Sequence, residues 1–167
     1  MITTDDFIKN FTSAFSNIGN LQPWEITKNI IRILINQIEK LDDNFIITNG
    51  IAIHKTAIIE QGAVLKAPVI ISENCFIGAN AYLRNGVFLG KAVSVGPGCE
   101  IKTSIIFNET KIAHFNFIGD SIVGSNCNFE AGSVVANYHN DKTDKTIRVL
   151  HKSEVIKTNC DKFGSLI

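Results

Sequence analysis

The chain has 167 residues, with 16 Lys and Arg against 16 Asp and Glu and a formal net charge of zero. That length fits one domain with an appended segment, and the scattered, balanced charge offers no electrostatic footprint for nucleic acid or an anionic membrane. No stretch approaches the roughly 20 apolar residues of a membrane span, and the N-terminal MITTDDFIKN lacks the basic-then-apolar order of a secretory signal, so cytoplasmic residence is the expected location.

Residues 1–45 read as a helical segment. TDDFIKNFTSAFSN at 4–17 suits a short amphipathic helix with acidic residues in its first turn. PWEITKNIIRILINQIEK at 23–40 starts with Pro at a helix-start position, and Ile26, Ile30, Leu34, Ile38 and Leu41 recur at helical spacing. The expected role is a cap on the first coil of the repeat region beyond residue 45, or a surface for a partner subunit, because an exposed first coil is an open sheet edge.

Residues 46–136 carry a period of six. Hexads starting at 53, 59, 65 and onward to 113 begin with Ile53, Ile59, Leu65, Ile71, Ile77, Leu83, Leu89, Val95, Ile101, Phe107 and Ala113. Ten of these eleven are large and apolar, which neither helical periodicity nor strand alternation produces. Fifth positions such as Ala57, Ala63, Val69, Cys75, Ala81 and Cys99 are small or β-branched. A solenoid accounts for both positions: three short parallel strands make a coil, the large residue fills the interior, and the small one packs at the corner. Coils then stack about 4.8 Å apart. Cys75, Cys99 and Cys127 fall in the small interior slot as small hydrophobes. The four cysteines show no CxxC pairing and no zinc-finger spacing, so no metal site is expected.

Stacking by 18 brings side chains into columns. Lys66, Arg84 and Lys102 share one column, each about 5 Å from the next. Such cations either splay into water or hold an anion between them. For Arg84 and Lys102 together a phosphate site is one of the two readings. Another column runs Glu60, Gly78, Gly96, His114; its glycines either serve turn geometry or leave a slot beneath the imidazole. The register slips nearby, where Ile118 follows Ala113, and Val123 follows Ile118, after five residues.

After Val135 the register is lost. Residues 137–163 read as a polar loop with a β-hairpin, its strands lying in TIRVL and SEVIKT, and 164–167 read as the start of a further coil. Long excursions from a solenoid commonly carry function.

The hexads, with IGANAY and VGPGCE as typical units, resemble those of left-handed β-helix acyltransferases, so the expected fold is all-β: a left-handed parallel β-helix with N-terminal α-helices and an inserted hairpin. KIAHFNFIGDSIVGSNCNFEAGSVVANY is similar to the glucosamine-1-phosphate acetyltransferase domain of the bifunctional N-acetylglucosamine-1-phosphate uridyltransferases, and to archaeal-type sugar-1-phosphate nucleotidylyltransferases. The resemblance implies acetyl-CoA as acyl donor, an amino-sugar phosphate as acceptor, no metal, and a homotrimer with sites between solenoids. It implies His114 as general base, Arg84 and Lys102 as phosphate ligands, Asn128 and Phe117 at the acceptor, and Ala131, Asn137 and Tyr138 at the acetyl-CoA site. Imidazole suits the base role because it ordinarily titrates near neutrality.

Departures from the family are few. Phe117 stands where the family has tyrosine, and a loop lysine aligns with Thr143, with Lys142 and Lys145 close by. No histidines stand five residues apart, as in the zinc-binding carbonic anhydrases of this fold. No Gly-rich nucleotide segment precedes the solenoid, so nucleotidylyl transfer is not expected. A catalytically silent trimerisation or ligand-binding β-helix, and an acyltransferase with a different acceptor, are the competing readings.

Overall fold

A computed structural model describes residues 2–9, 11–16 and 18–167. From Ile51 to Val135 the chain winds about five coils of a left-handed parallel β-helix, three short strands to a coil. One side stacks Ile51–His54 and Val69–Ile71 with the later halves of Tyr82–Leu89 and Glu100–Ile106, then Ile122–Val123. The next stacks Ile58–Ile59, Phe76–Ile77, Ser94–Val95, Lys111–Ile112 and Asn128–Phe129. The last stacks Val64–Leu65 with the earlier halves of the two long strands, then Phe117–Gly119 and Val134–Val135.

Through Ile101 the hexads hold. Ile71, Ile77, Leu83, Leu89, Val95 and Ile101 all point inward and are fully buried, while Cys75 and Cys99 fill corner slots. The count then changes earlier than the sequence suggests. Arg84 pairs with Lys102, but Val87 pairs with Ser104, so Asn85 and Gly86 bulge opposite the single residue Thr103. Ile101 to Ile106 is therefore the first five-residue side, and Ile106 and Ile112 take the interior places expected for Phe107 and Ala113. Ser104, Thr110 and Asn116 occupy the buried corner slots of these coils, in place of Ile105, Lys111 and Phe117. The hydroxyls of Ser104 and Thr110 are used locally, whereas Asn116 Oδ1 and Nδ2 are buried without a hydrogen-bond partner among the described residues. The Ser104 hydroxyl donates to the Lys102 carbonyl (2.7 Å) and accepts the Ser121 amide (3.1 Å). The Ser121 hydroxyl repeats this with Gly119 (2.8 Å) and the Ser165 amide (3.1 Å).

The N-terminal segment does not cap the first coil. Among the described residues it forms a 3-10 turn at Thr4–Asp6 and three short helices: α1 (Phe11–Ala14), α2 (Pro23–Lys28) and α3 (Ile30–Ile38). The single helix expected over 4–17 is thus two pieces, with Asn10 and Asn17 outside the described residues. The one expected over 23–40 breaks at Asn29, whose backbone leaves the helical region at φ −100°, ψ 6°. Pro23 starts α2, and the Gln22 amide donates to Glu25 (2.8 Å) in a capping box.

These helices lie along one flank of the solenoid. Ile26, Ile30, Ile33 and Leu34 pack against Ala52, Ile70, Phe88, Ile105 and Ile122, which are register neighbours pointing outward from successive coils. Phe107 packs outside as well, 5.8 Å from Phe11 between ring centroids, which is why it is absent from the interior. Gly86 admits α3 closely: at φ +92° it adopts a left-handed conformation, and a Cβ there would lie 2.6 Å from Ile30 Cγ2. The edge of the first coil is covered instead by Phe45–Thr48, antiparallel to Ile51–His54.

Beyond Val135 the chain leaves the solenoid and forms the antiparallel hairpin Arg148–His151 with Glu154–Lys157. Ile147, Cys160 and Phe163 bury against Ile2 and Trp24, tying this excursion to the N-terminal segment. Leu166 then bridges Ile122 in parallel, so the chain rejoins the stack. Among the described residues no helix is long and apolar enough to cross a membrane.

Candidate active site

The side that carries Tyr82, Glu100 and Phe117 outward also carries Arg84, Lys102 and Gly119 in the adjacent column. Arg84 and Lys102 are direct register partners, as the stacking argument requires. Two cations at that spacing need counter-charge, and the protein supplies it. Arg84 Nε donates to Glu100 Oε1 at 2.7 Å, and its Nη2 lies 2.6 Å from the same oxygen, with both side chains about one-third exposed. The Lys102 ammonium lies 2.6 Å from Asp120 Oδ2, with only 11% and 8% of the two side chains exposed. Lys66, one coil earlier, is exposed, and its Nζ sits 5.2 Å from the Tyr82 ring centroid, across from Arg84 at 5.6 Å.

Asp120 is the junction of this site. It stands at the start of the second five-residue side in a left-handed backbone conformation (φ 49°) and accepts from both Lys102 and the Asn137 amide. Its own backbone amide donates to the Lys102 carbonyl (2.9 Å), and its carbonyl accepts from Gly164 (2.9 Å). One buried aspartate thereby fixes a cation and the first residues of the excursion through its carboxylate, and the returning coil through its backbone carbonyl.

Arg84, Lys102, Phe117, Asn137 and Tyr138 together line a cleft of about 690 Å3, and Asp161 and Lys162 line it as well. Five of the eight site residues expected from the sequence thus meet in one place. The other three do not line it. His114 is exposed at the corner between Lys111–Ile112 and Phe117–Gly119, Asn128 lies on the neighbouring side with its amide donating to Glu130 (2.6 Å), and Ala131 is exposed on the following turn. The His114 carbonyl accepts the Gly132 amide (2.9 Å), which ties its corner to the Ala131 turn.

The column expected beneath His114 is different in the structure. Because the bulge removes one residue from the count, Gly96 is followed in its column by Ala113, and His114 follows Pro97. The glycines serve close approach between coils and leave no slot: a Cβ on Gly96 would lie 2.5 Å from the Ala113 carbonyl oxygen, and one on Gly78 would lie 2.7 Å from Pro97 N. What flanks His114 is Phe115, 74% exposed, with its ring over Gly98.

Glu100, Asp120 and Lys162 are site groups that sequence reading missed. The two carboxylates had a signal, because the cation column demanded an anion, and the protein's own acids provide one. The lysines expected near Thr143 do not reach the cleft wall; the Lys145 ammonium instead donates to the His139 (2.7 Å) and Asn140 (3.0 Å) carbonyls.

The family model of the GMPPB C-terminal domain matches residues 77–160, the stretch that contains nearly all of these groups. Among curated proteins, the bifunctional protein GlmU of Methanococcus vannielii is 35% identical over 159 residues, covering 92% of this chain and 37% of that protein. GlmU of Clostridium tetani is 42% identical over 138 residues, covering 63% and 30%. The chain therefore spans only about a third of the length of these relatives. A solved acetyltransferase domain of PglB from Neisseria gonorrhoeae aligns over 78% of this chain and 75% of its own, with 17% identity and a TM-score of 0.30. With its family match spanning half of the residues and most of the cleft, the chain belongs to the GMPPB C-terminal domain family.

Proposed function

We propose that this chain is an acetyl-CoA-dependent N-acetyltransferase of the GlmU C-terminal type, acting on an amino-sugar phosphate such as glucosamine-1-phosphate. The observation that carries the reading is the cleft, in which two cations, each anchored from behind by a carboxylate, share a wall with Asn137 and Tyr138. A guanidinium with one edge on Glu100 retains further N–H donors, and so does an ammonium with one bond to Asp120. Their fixed positions suit a phosphate that must be bound in one orientation.

In this mechanism Arg84 and Lys102 hold the acceptor phosphate, and Phe117 packs beside the sugar. Asn137 and Tyr138 line the path of the acyl donor, with Asn128 and Ala131 contributing from the adjoining turn. The acceptor amine attacks the thioester carbonyl carbon, and the His114 imidazole takes the proton the amine loses. The tetrahedral intermediate then expels the thiolate, which leaves as the free thiol after protonation. An amide has formed and a thioester has broken, with no change of oxidation state. Because His114 stands on a corner outside the cleft of a single chain, a homotrimer that sets this corner against a neighbouring solenoid is part of the proposal.

A second reading, a binding or trimerisation module without catalysis, draws on two observations. Phe117 offers no hydroxyl to the cleft, and among the described residues the His114 ring has no side-chain hydrogen-bond partner to orient it. Thiol release from acetyl-CoA with glucosamine-1-phosphate decides between the two. Acceptor-dependent release that His114→Ala abolishes supports the enzyme, and no release by a folded trimer supports the module.

A further inference from the structure

Three cations stand in the cleft wall, and they differ in how they are neutralised. Arg84 is engaged by Glu100 and Lys102 by Asp120, each at 2.6 Å. Lys162 is exposed and forms no ion pair among the described residues; its Nζ lies 5.7 Å from the centroid of the Tyr138 ring. A carboxylate at hydrogen-bond distance takes up much of a cation's attraction for a second anion. An ammonium against an aromatic ring keeps its whole charge and its three donors. Lys145, the other ammonium at this ring, is committed to two loop carbonyls.

The backbone around Lys162 is held in place. The next residue, Phe163, is buried, packs edge-on against Trp24 with centroids 6.0 Å apart, and donates its amide to the Asn137 carbonyl (3.1 Å). Gly164 donates to the Asp120 carbonyl (2.9 Å). Lys162 is therefore clamped beside both Asn137 and Asp120, while its long side chain stays free to turn. Asp161 also lines this cleft, and its carboxylate opposes an anion there.

We propose that Lys162 is an anion-binding residue of this cleft that contacts a phosphate group of a substrate, with Tyr138 holding the ammonium in readiness. Which substrate carries that phosphate, the amino-sugar acceptor or the acyl donor, rests on the acyl-transfer reading; the assignment of Lys162 as a phosphate ligand does not.

Calorimetric titration of the full chain with glucosamine-1-phosphate, glucosamine and acetyl-CoA tests this in the wild type, Lys162→Ala, Lys162→Arg and Lys157→Ala. Lys162→Ala weakens a phosphate-bearing ligand about tenfold, Lys162→Arg retains most of the affinity, and Lys157→Ala, on the hairpin, changes nothing. Weakened glucosamine-1-phosphate with unchanged glucosamine identifies the acceptor's phosphate, and weakened acetyl-CoA identifies the donor's. If the wild type binds these ligands and Lys162→Ala binds all of them equally well, the assignment is overturned. If the wild type binds none of them, the acyl-transfer reading fails, and inorganic pyrophosphate decides Lys162 alone: binding lost in Lys162→Ala sustains it, while equal or no binding overturns it.

Discussion

The Lys102 ammonium and the Asp120 carboxylate meet at 2.6 Å with about nine-tenths of each side chain buried. Removing one partner leaves the other charge in a poorly solvated place, which costs about 3 to 5 kcal/mol. Lys102→Ala and Asp120→Ala are each expected to lower stability on that scale in urea unfolding. The double mutant is expected to lose much less than the sum, because no orphaned charge remains.

His114 is exposed, and its ring holds nothing in place, so His114→Ala should leave unfolding within about 0.5 kcal/mol of wild type. Thiol release should meanwhile fall by roughly 10² to 10⁴, the usual contribution of a positioned base. A parallel loss of stability would show that the side chain is structural.

Gly96 admits the backbone of the following coil, and a Cβ there would stand 2.5 Å from the Ala113 oxygen. Gly96→Ala should cost about 1 to 3 kcal/mol in the same unfolding measurement, as overpacking does. Gly132, around which a Cβ would meet nothing within 4 Å, sits at φ +76°. Gly132→Ala is therefore expected to cost only about 1 kcal/mol of backbone strain.

Burial pushes the Cys75 thiol up to about 11 and raises Cys99 and Cys160 as well. Thiolate is the reactive form, so these three should resist alkylation at neutral pH in the native state. Partly exposed Cys127 should be the first to react, with mass spectrometry of the labelled peptides giving the order.

The Thr146 hydroxyl and amide, followed by the Arg148 guanidinium, hold the Asp144 carboxyl down at about 2. A depressed acid supports the folded form above its unfolded value, near 3.9, and that support is lost as pH falls toward 2. NMR titration should find Asp144 still ionised at a pH where ordinary aspartates are half-protonated, and Thr146→Val should move it back up.

The hexads were legible as far as Ile101 because one strand face is apolar and the other is not. At Ser104–Phe107, SIIF, that contrast disappears: Ile106 faces inward while Ile105 and Phe107 are buried outside under the helices. A strand buried on both faces gives no alternation from which to read its register, so a count by sixes sets Phe107 and Ala113 in the interior places of Ile106 and Ile112, and the two registers agree again at Ile118. The cleft was half legible for a similar reason. Arg84 and Lys102 align within the period, whereas Lys162 reaches the same wall only through the fold of an aperiodic excursion.

The Asn85–Gly86 bulge acts as a change of metre. Before it the coils advance by 18 residues, Leu83 to Ile101; after it they advance by 17, Ile101 to Ile118 and Ile118 to Val135. One residue added beside Thr103 would pair inside the bulge, restore the longer measure for that coil, and leave Ser104 opposite Val87. His114 would still stand over Pro97, and the mismatch would pass to the next coil, between Lys102–Ile105 and Gly119–Ile122. The change of length is thus absorbed inside one strand pair, and the imidazole corner keeps its place over the coil before it whichever measure the chain follows.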